Sequence, residues 1–168
     1  THDGLCIAQA VLEHLHDDRG AIAEDFRRGI LGSRTGRLVA IGTRDPKKDG
    51  LGEKFPEARI LDGYQALLDD PEVEAVYIAT PHPGHAEWAI RAAEAGKHVL
   101  CEKPIAVSRY EAEAMFNAAH KAGTFLGEAF MYRHHPQTLR LVDMMRSGVV
   151  GEVRLIKVNF GFLMGNPD

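Results

Sequence analysis

Four places in the chain gather side chains able to do chemistry. Glu102, Lys103 and Pro104 follow directly on a short apolar run, His98-Val99-Leu100-Cys101. A lysine ammonium stabilises an alkoxide that develops beside it. A free lysine titrates near ~10.4, so burial or a second cation must lower it before it relays protons near neutral pH. Pro104 can take a cis bond and fix the direction of the lysine. A second group, Thr80, Pro81, His82 and His85, follows the run Ala75-Val76-Tyr77-Ile78-Ala79. A third, Thr43, Arg44 and Lys47, lies at the end of residues 37–43, and a fourth, Glu128 to Pro136, holds Tyr132, Arg133, His134 and His135. His82 and His85 spell H-x-x-H, with two further imidazoles at His134 and His135. No cysteine or carboxylate completes a recognised zinc spacing around them, so no metal site is expected.

All four groups sit at the ends of predicted strands. Residues 37–43, 75–79, 98–101 and 124–128 are short, apolar and bounded by turn residues, as strands buried on both faces are. Helices are predicted between them. Residues 85–95 place Trp88, Ala89, Ala92 and Ala93 on one face, with Gly96 as the stop. Ser108 and Glu111 form a capping box for a helix reaching Ala122, with Gly123 after it. Residues 136–147 give another, with Leu139, Val142 and Met145 inward and Gly148 as its end; residues 64–68 give a shorter one. The stretch 45–55 is broken by Gly50 and Gly52. This alternation predicts an α/β fold, a doubly wound parallel sheet, with ligands at the carboxyl ends of the strands. Residues 151–162 alternate instead, and predict the first strand of a second α/β domain with an exposed edge.

The chain has 168 residues, a net charge of -4, 45% hydrophobic and 26% charged residues, which suits a folded globular domain and excludes a disordered tail. The absence of a basic stripe argues against nucleic acid, and no apolar run approaches the ~20 residues of a membrane span. Cys6 and Cys101 cannot build a disulfide framework, so a reducing cytoplasm is the expected setting. The start at Thr1 and the stop at Asp168, just after an apolar run, suggest a portion of a longer protein.

Three segments in combination, VYIATPHPGH at 76–85, AGKHVLCEKP at 95–104 and EAFMYRHHP at 128–136, resemble the glucose-fructose oxidoreductase / inositol dehydrogenase family over residues 20 to 163. Within it, the sequence around Thr80 and Glu128 is similar to the NADP-dependent xylose dehydrogenase and dihydrodiol dehydrogenase branch. The resemblance implies a Rossmann domain over residues 20–150 and the start of a truncated substrate domain over 151–168. It implies hydride transfer between nicotinamide and a hydroxyl-bearing carbon of a sugar, polyol or cyclic diol. Lys103 matches the catalytic lysine of the family's E-K-P motif. Thr80, Pro81, His82 and His85 match the turn that passes under the cofactor, His85 at the start of its helix, water-exposed in the plainest reading. Glu102 either holds the cofactor ribose, orients Lys103 or is a plain surface carboxylate. Pro104 lies in the same cofactor-lining loop. Arg133 is a candidate contact to the carboxamide or substrate, whereas Met131 and Tyr132 equally suit packing between domains. Arg44, where an acidic residue would bond the 2′-hydroxyl of NAD, favours the 2′-phosphate of NADP, with Thr43 and Lys47 as neighbours. The family's proton donor or acceptor, a Tyr or His, falls beyond Asp168. The intact protein is expected to be a homo-oligomer through its second domain.

The amino-terminal end departs from this pattern. Register places the fingerprint's second glycine at Gly20, with Ile22 and Ala23 following and a helix over 23–31. Asp18 then stands where the first glycine belongs, and the opening strand should fill residues 10–16. Ile7, Ala8, Val11, Leu12 and Leu15 have helical spacing instead, and Asp17 and Asp18 would repel a pyrophosphate. The expectation is therefore that residues 1–19 do not supply the native opening strand, through a displaced reading frame or a wrong start. Two rival functions share the fold: a glycosidase that uses NAD transiently, and a non-enzymatic NADP-sensing regulator. The complete E-K-P motif argues against the regulator.

Overall fold

A computed structural model describes residues 5–10, 18–47, 50–81, 83–159 and 161. The chain divides into two units, Thr1–Ala129 and Phe130–Asp168. The first holds a parallel sheet of six strands: β1 (Leu5–Ala10), β2 (Gly36–Thr43), β3 (Arg59–Asp62), β4 (Ala75–Ile78), β5 (His98–Cys101) and β6 (Leu126–Glu128). Their order is β3-β2-β1-β4-β5-β6, the doubly wound dinucleotide order, with its switch point between β1 and β4.

The opening strand is present, against expectation. β1 pairs with β2 on one side, Leu5 to Gly36 through Ala10 to Gly42, and with β4 on the other, Ile7 to Ala75 through Ala10 to Ile78. It lies five residues or so ahead of the position the glycine register assigned, and its centre is Ile7 and Ala8, two residues read as helically spaced. Ladder partners on both sides outweigh local periodicity in a run this short. The predicted continuation at residues 11–16 lies outside the described residues. The following helix, α1 (Asp18–Leu31), starts five residues before the predicted Ala23 and contains Gly20 and Ile22.

β3 escaped sequence reading because only Ile60 and Leu61 are apolar and it forms the sheet edge beside β2. The other elements follow their signals. Ser108 caps α5 (Arg109–Ala122), its hydroxyl accepting from the Glu111 amide at 3.2 Å, and Gly123 closes it at φ +70°. α3 (Tyr64–Asp69) and α4 (Gly84–Glu94) cover one face of the sheet with α5, around Leu67, Val76, Ile78, Ala89, Val99 and Met115. On the other face, Leu38 and Ile41 pack with Phe55 and with Leu51 of α2 (Leu51–Lys54), and Ile30 of α1 joins them. Gly42 permits α3 to sit tight on β2, since a Cβ there would stand 2.7 Å from Leu67 Cδ1.

The motif's first lysine is a staple. Lys97, 9% exposed, donates through Nζ to the carbonyls of Asp70 and Val73, both at 2.8 Å, and so fixes the turn that feeds β4. Such a buried cation is tolerated because carbonyl oxygens replace its hydration.

The second unit contains a 3-10 turn (Met131–His134) and α6 (Pro136–Arg146). Proline suits the first helical position, and His135 Nδ1 accepts from the Gln137 amide at 3.2 Å. Leu139 was expected inward but is 52% exposed. Residues 153–159 form no strand, in contrast to the alternation of their sequence, and Leu155 and Val158 are exposed. A strand needs a hydrogen-bonded neighbour, and among the described residues none pairs with this segment. Among the described residues no helix is long and apolar enough to cross a membrane.

Candidate active site

The carboxyl ends of β2, β4 and β5 carry the first three predicted groups. Thr43 ends β2, buried, and its hydroxyl accepts from the Asp45 amide at 3.2 Å. Asp45 Oδ1 in turn accepts from the Lys47 amide at 3.2 Å. These two short-range bonds compact the turn and leave the Arg44 and Lys47 side chains at its exposed surface.

Two residues beyond β4, Thr80 is 6% exposed, and among the described residues its buried Oγ1 has no hydrogen-bond partner. A buried hydroxyl left unpaired costs roughly 1–3 kcal/mol, so an orphan of this kind beside the switch point marks a place for a ligand's polar group. Gly84 keeps the approach close: a Cβ there would lie 3.3 Å from Thr80 Oγ1. Pro81 follows, half-buried. His82 lies outside the described residues. His85, for which a cofactor-turn residue and a water-exposed helix start were both open readings, is 2% exposed. Its Nε2 lies 2.7 Å from the Thr80 carbonyl and its Nδ1 3.0 Å from the Pro104 carbonyl.

Beyond β5, the loop Glu102–Ile105 is held from several sides. The Glu102 amide donates to the Ile78 carbonyl at 2.8 Å. Glu102 Oε1 accepts from the Tyr77 hydroxyl at 2.6 Å and Oε2 from the Lys103 amide at 3.1 Å. The Lys103–Pro104 bond is cis. Glu128 Oε1, from the end of β6, accepts from the Ile105 amide at 2.9 Å. Lys103 itself is exposed, so its backbone is fixed while its ammonium faces outward. A catalytic cation needs this combination, because a pre-set donor loses little order when it meets a charge.

Tyr77 is the residue sequence reading passed over. It lies inside β4 at 2% exposure, and its ring stacks on Phe26 of α1 with centroids 3.8 Å apart. Burial, then the Glu102 carboxylate, holds its hydroxyl far above the usual phenol range, so it is a standing donor. A tyrosine in an otherwise aliphatic strand was the available signal, since a buried phenol needs a partner. Burial, assisted by Glu102 and Glu128, pushes the Cys101 thiol up to about 12, which makes it a packing residue and no nucleophile.

Gly20, Ile22 and Ala23 lie in the amino-terminal half of α1. Arg133 lies in the 3-10 turn of the other unit, exposed, its amide donating to Phe130. Among the described residues, no three histidine, cysteine or acidic side chains gather as a metal cluster.

The strand order and the ligand-ready residues at the switch point define a dinucleotide-binding Rossmann domain. Residues 9–130 match the GFO_IDH_MocA family, described as "Oxidoreductase family, NAD-binding Rossmann fold", and the chain belongs to it. The chain is 36% identical over 146 residues to the trans-1,2-dihydrobenzene-1,2-diol dehydrogenase of Mus musculus, covering 85% of this chain and 44% of that protein. It is 40% identical over 131 residues to D-xylose 1-dehydrogenase (NADP(+)) 2 of Haloferax volcanii, covering 77% and 39%. Among solved structures, a 3-ketoreductase from Actinomadura kijaniata in complex with NADP and TDP-benzene superposes with a TM-score of 0.73 at 35% identity, covering 90% of this chain and 45% of that one. The chain spans less than half the length of the curated relatives it matches.

Proposed function

We propose that the chain is the cofactor-binding portion of an NADP-dependent oxidoreductase acting on a hydroxyl-bearing carbon, or the matching ketone, of a sugar, polyol or cyclic diol. The observation that carries this reading is the Lys103 loop, fixed through Glu102, Pro104 and Ile105 at the carboxyl end of the sheet. Supporting it are relatives named as an NADP(+) xylose dehydrogenase, a dihydrodiol dehydrogenase and a 3-ketoreductase solved with NADP.

The residues present suit the dinucleotide. The first turn of α1, with Gly20, Ile22 and Ala23 in its amino-terminal half, offers backbone amides to a pyrophosphate, opposed by the acidic Asp18 at its start. Thr80 offers an unpaired buried hydroxyl, and Pro81 and Pro104 present apolar ring surface. Arg44 and Lys47, on the turn that Thr43 organises, suit a 2′-phosphate. On the sequence motif alone, His82 and Arg133 are assigned as further cofactor contacts. When bound, the nicotinamide supplies or accepts the hydride.

Lys103 then acts on the substrate oxygen. Its ammonium donates a hydrogen bond to that oxygen and stabilises the negative charge that grows there as the carbon changes oxidation state.

The test is an absorbance assay of the intact protein with NADPH or NADP and a panel of aldoses, cyclic polyols, diols and their ketones. NADP-linked turnover of a panel member supports the reading. Sugar release without net change in nicotinamide absorbance points to a glycosidase, and tight NADP binding without any turnover points to a regulator; either outcome overturns the proposal.

A further inference from the structure

We propose that Tyr77 is a positioning residue for Lys103, its buried hydroxyl holding the Glu102 carboxylate away from the lysine ammonium. The inference rests on the catalytic reading of Lys103 given above.

Glu102 and Lys103 are neighbours in sequence, and a carboxylate next to an ammonium at a loop would ordinarily pair with it. Here both carboxylate oxygens are already engaged. Oε1 receives the Tyr77 hydroxyl at 2.6 Å and Oε2 the Lys103 backbone amide at 3.1 Å. Among the described residues no ion pair to the Lys103 ammonium forms. An unpaired ammonium is the stronger donor to a substrate oxygen, because it need not first break a contact to a carboxylate.

The donor is built to stay in place. Tyr77 sits within β4, paired to β1 through Gln9 and to β5 through Leu100, so its backbone cannot drift. Its ring is clamped by Phe26, 3.8 Å away and 11° from parallel. Phe26 belongs to α1, the helix whose first turn is offered to the pyrophosphate. One rigid stack therefore connects the cofactor helix to the lysine loop.

The experiment compares the intact protein with Tyr77→Phe and with Tyr77→Phe/Glu102→Gln. Phenylalanine keeps the stack on Phe26 and removes only the hydroxyl. The freed Glu102 is expected to pair with the Lys103 ammonium, and losing one charge-assisted bond of this kind lowers kcat by about tenfold. The KM for NADPH should barely move, and the double variant, which cannot form the new ion pair, should exceed the single variant in kcat. A purely structural role would not be relieved by Glu102→Gln. A second readout needs no turnover: acylation of Lys103 by a small neutral reagent at mildly alkaline pH, followed by peptide mass spectrometry. Lys103 should label several-fold more slowly in Tyr77→Phe and faster again in the double variant. Wild-type labelling and turnover in Tyr77→Phe, or a double variant no better than the single, overturns the inference. If the wild-type protein has no NADPH-linked activity but labelling follows this pattern, the positioning role stands and the proposed function falls.

Discussion

His85 Nδ1 lies 3.0 Å from the carbonyl oxygen of Pro104, so a side chain at the start of α4 holds the loop beyond β5. The other ring nitrogen, Nε2, lies 2.7 Å from the Thr80 carbonyl. One imidazole thus ties two strand ends together beneath the candidate lysine. Both contacts are to acceptors, and a neutral ring has one N–H to give, so only the imidazolium donates to both carbonyls at once.

Replacing His85 with alanine strips both carbonyls of their partner and opens a void. Cost should be about 2–4 kcal/mol in denaturant unfolding. Hydrogen exchange sharpens the test. The Ile105 amide, bonded to Glu128, should exchange faster in His85→Ala than the amides of the α5 interior. Unchanged protection at Ile105 would show that His85 does not hold the loop.

Arg44 carries the choice of cofactor in the proposed function. Arg44→Ala should weaken NADPH binding about 10- to 100-fold, the worth of a charge-assisted phosphate contact, and leave NADH nearly unchanged. Titration by the fluorescence of the reduced nicotinamide reads both. Equal weakening of the two cofactors would remove Arg44 from the 2′-phosphate site.

Lys103 carries the chemistry in the proposed function. Lys103→Met keeps much of the chain's length and removes the charge, and should lower kcat by about 10²- to 10⁴-fold. NADPH affinity should change little, because the proposed role is toward the substrate oxygen. A variant with wild-type kcat and a raised KM would instead make Lys103 a binding residue.

Acid should loosen the joint between α1 and the segment before β3. Arg27 Nε and Glu57 Oε1 stand 2.6 Å apart, and Arg27 lies over the Phe55 ring. The hydrogen bond from Arg27 holds the Glu57 carboxyl below its ordinary range. A depressed carboxyl contributes stability that is present above its unfolded value, 4.5, and lost as pH falls through the lower folded value. Both side chains are partly exposed, so solvent screening limits the contribution to about 0.5–1 kcal/mol. Glu57→Gln should show this deficit in urea unfolding at pH 7, and the deficit should shrink as pH falls below 4.5. A deficit that persists in acid would mean that packing, and not charge, explains it.

The sequence by itself determined the alternation of strands and helices, because short apolar runs bounded by turn residues admit few other readings. It also pointed to the candidate site residues, since Thr43 ends such a run, Thr80 and Lys103 come after such runs, and parallel strands present their carboxyl ends together. Capping was equally local: Ser108, Glu111 and Gly123 fix α5 through contacts within a few residues. Tertiary structure alone decided the rest. β1 is a strand because β2 and β4 flank it, a fact that no window of local periodicity around Ile7 contains. Residues 153–159 alternate like a strand and form none, because ladder hydrogen bonds come from a neighbour and not from the segment itself. Glu102 had three open readings, and none of them contained its bond from Tyr77, twenty-five positions earlier. For His85 a water-exposed reading stayed open until the fold brought the Pro104 carbonyl to its ring. Residue type and spacing say which groups can react, but partners distant in sequence decide where each one points.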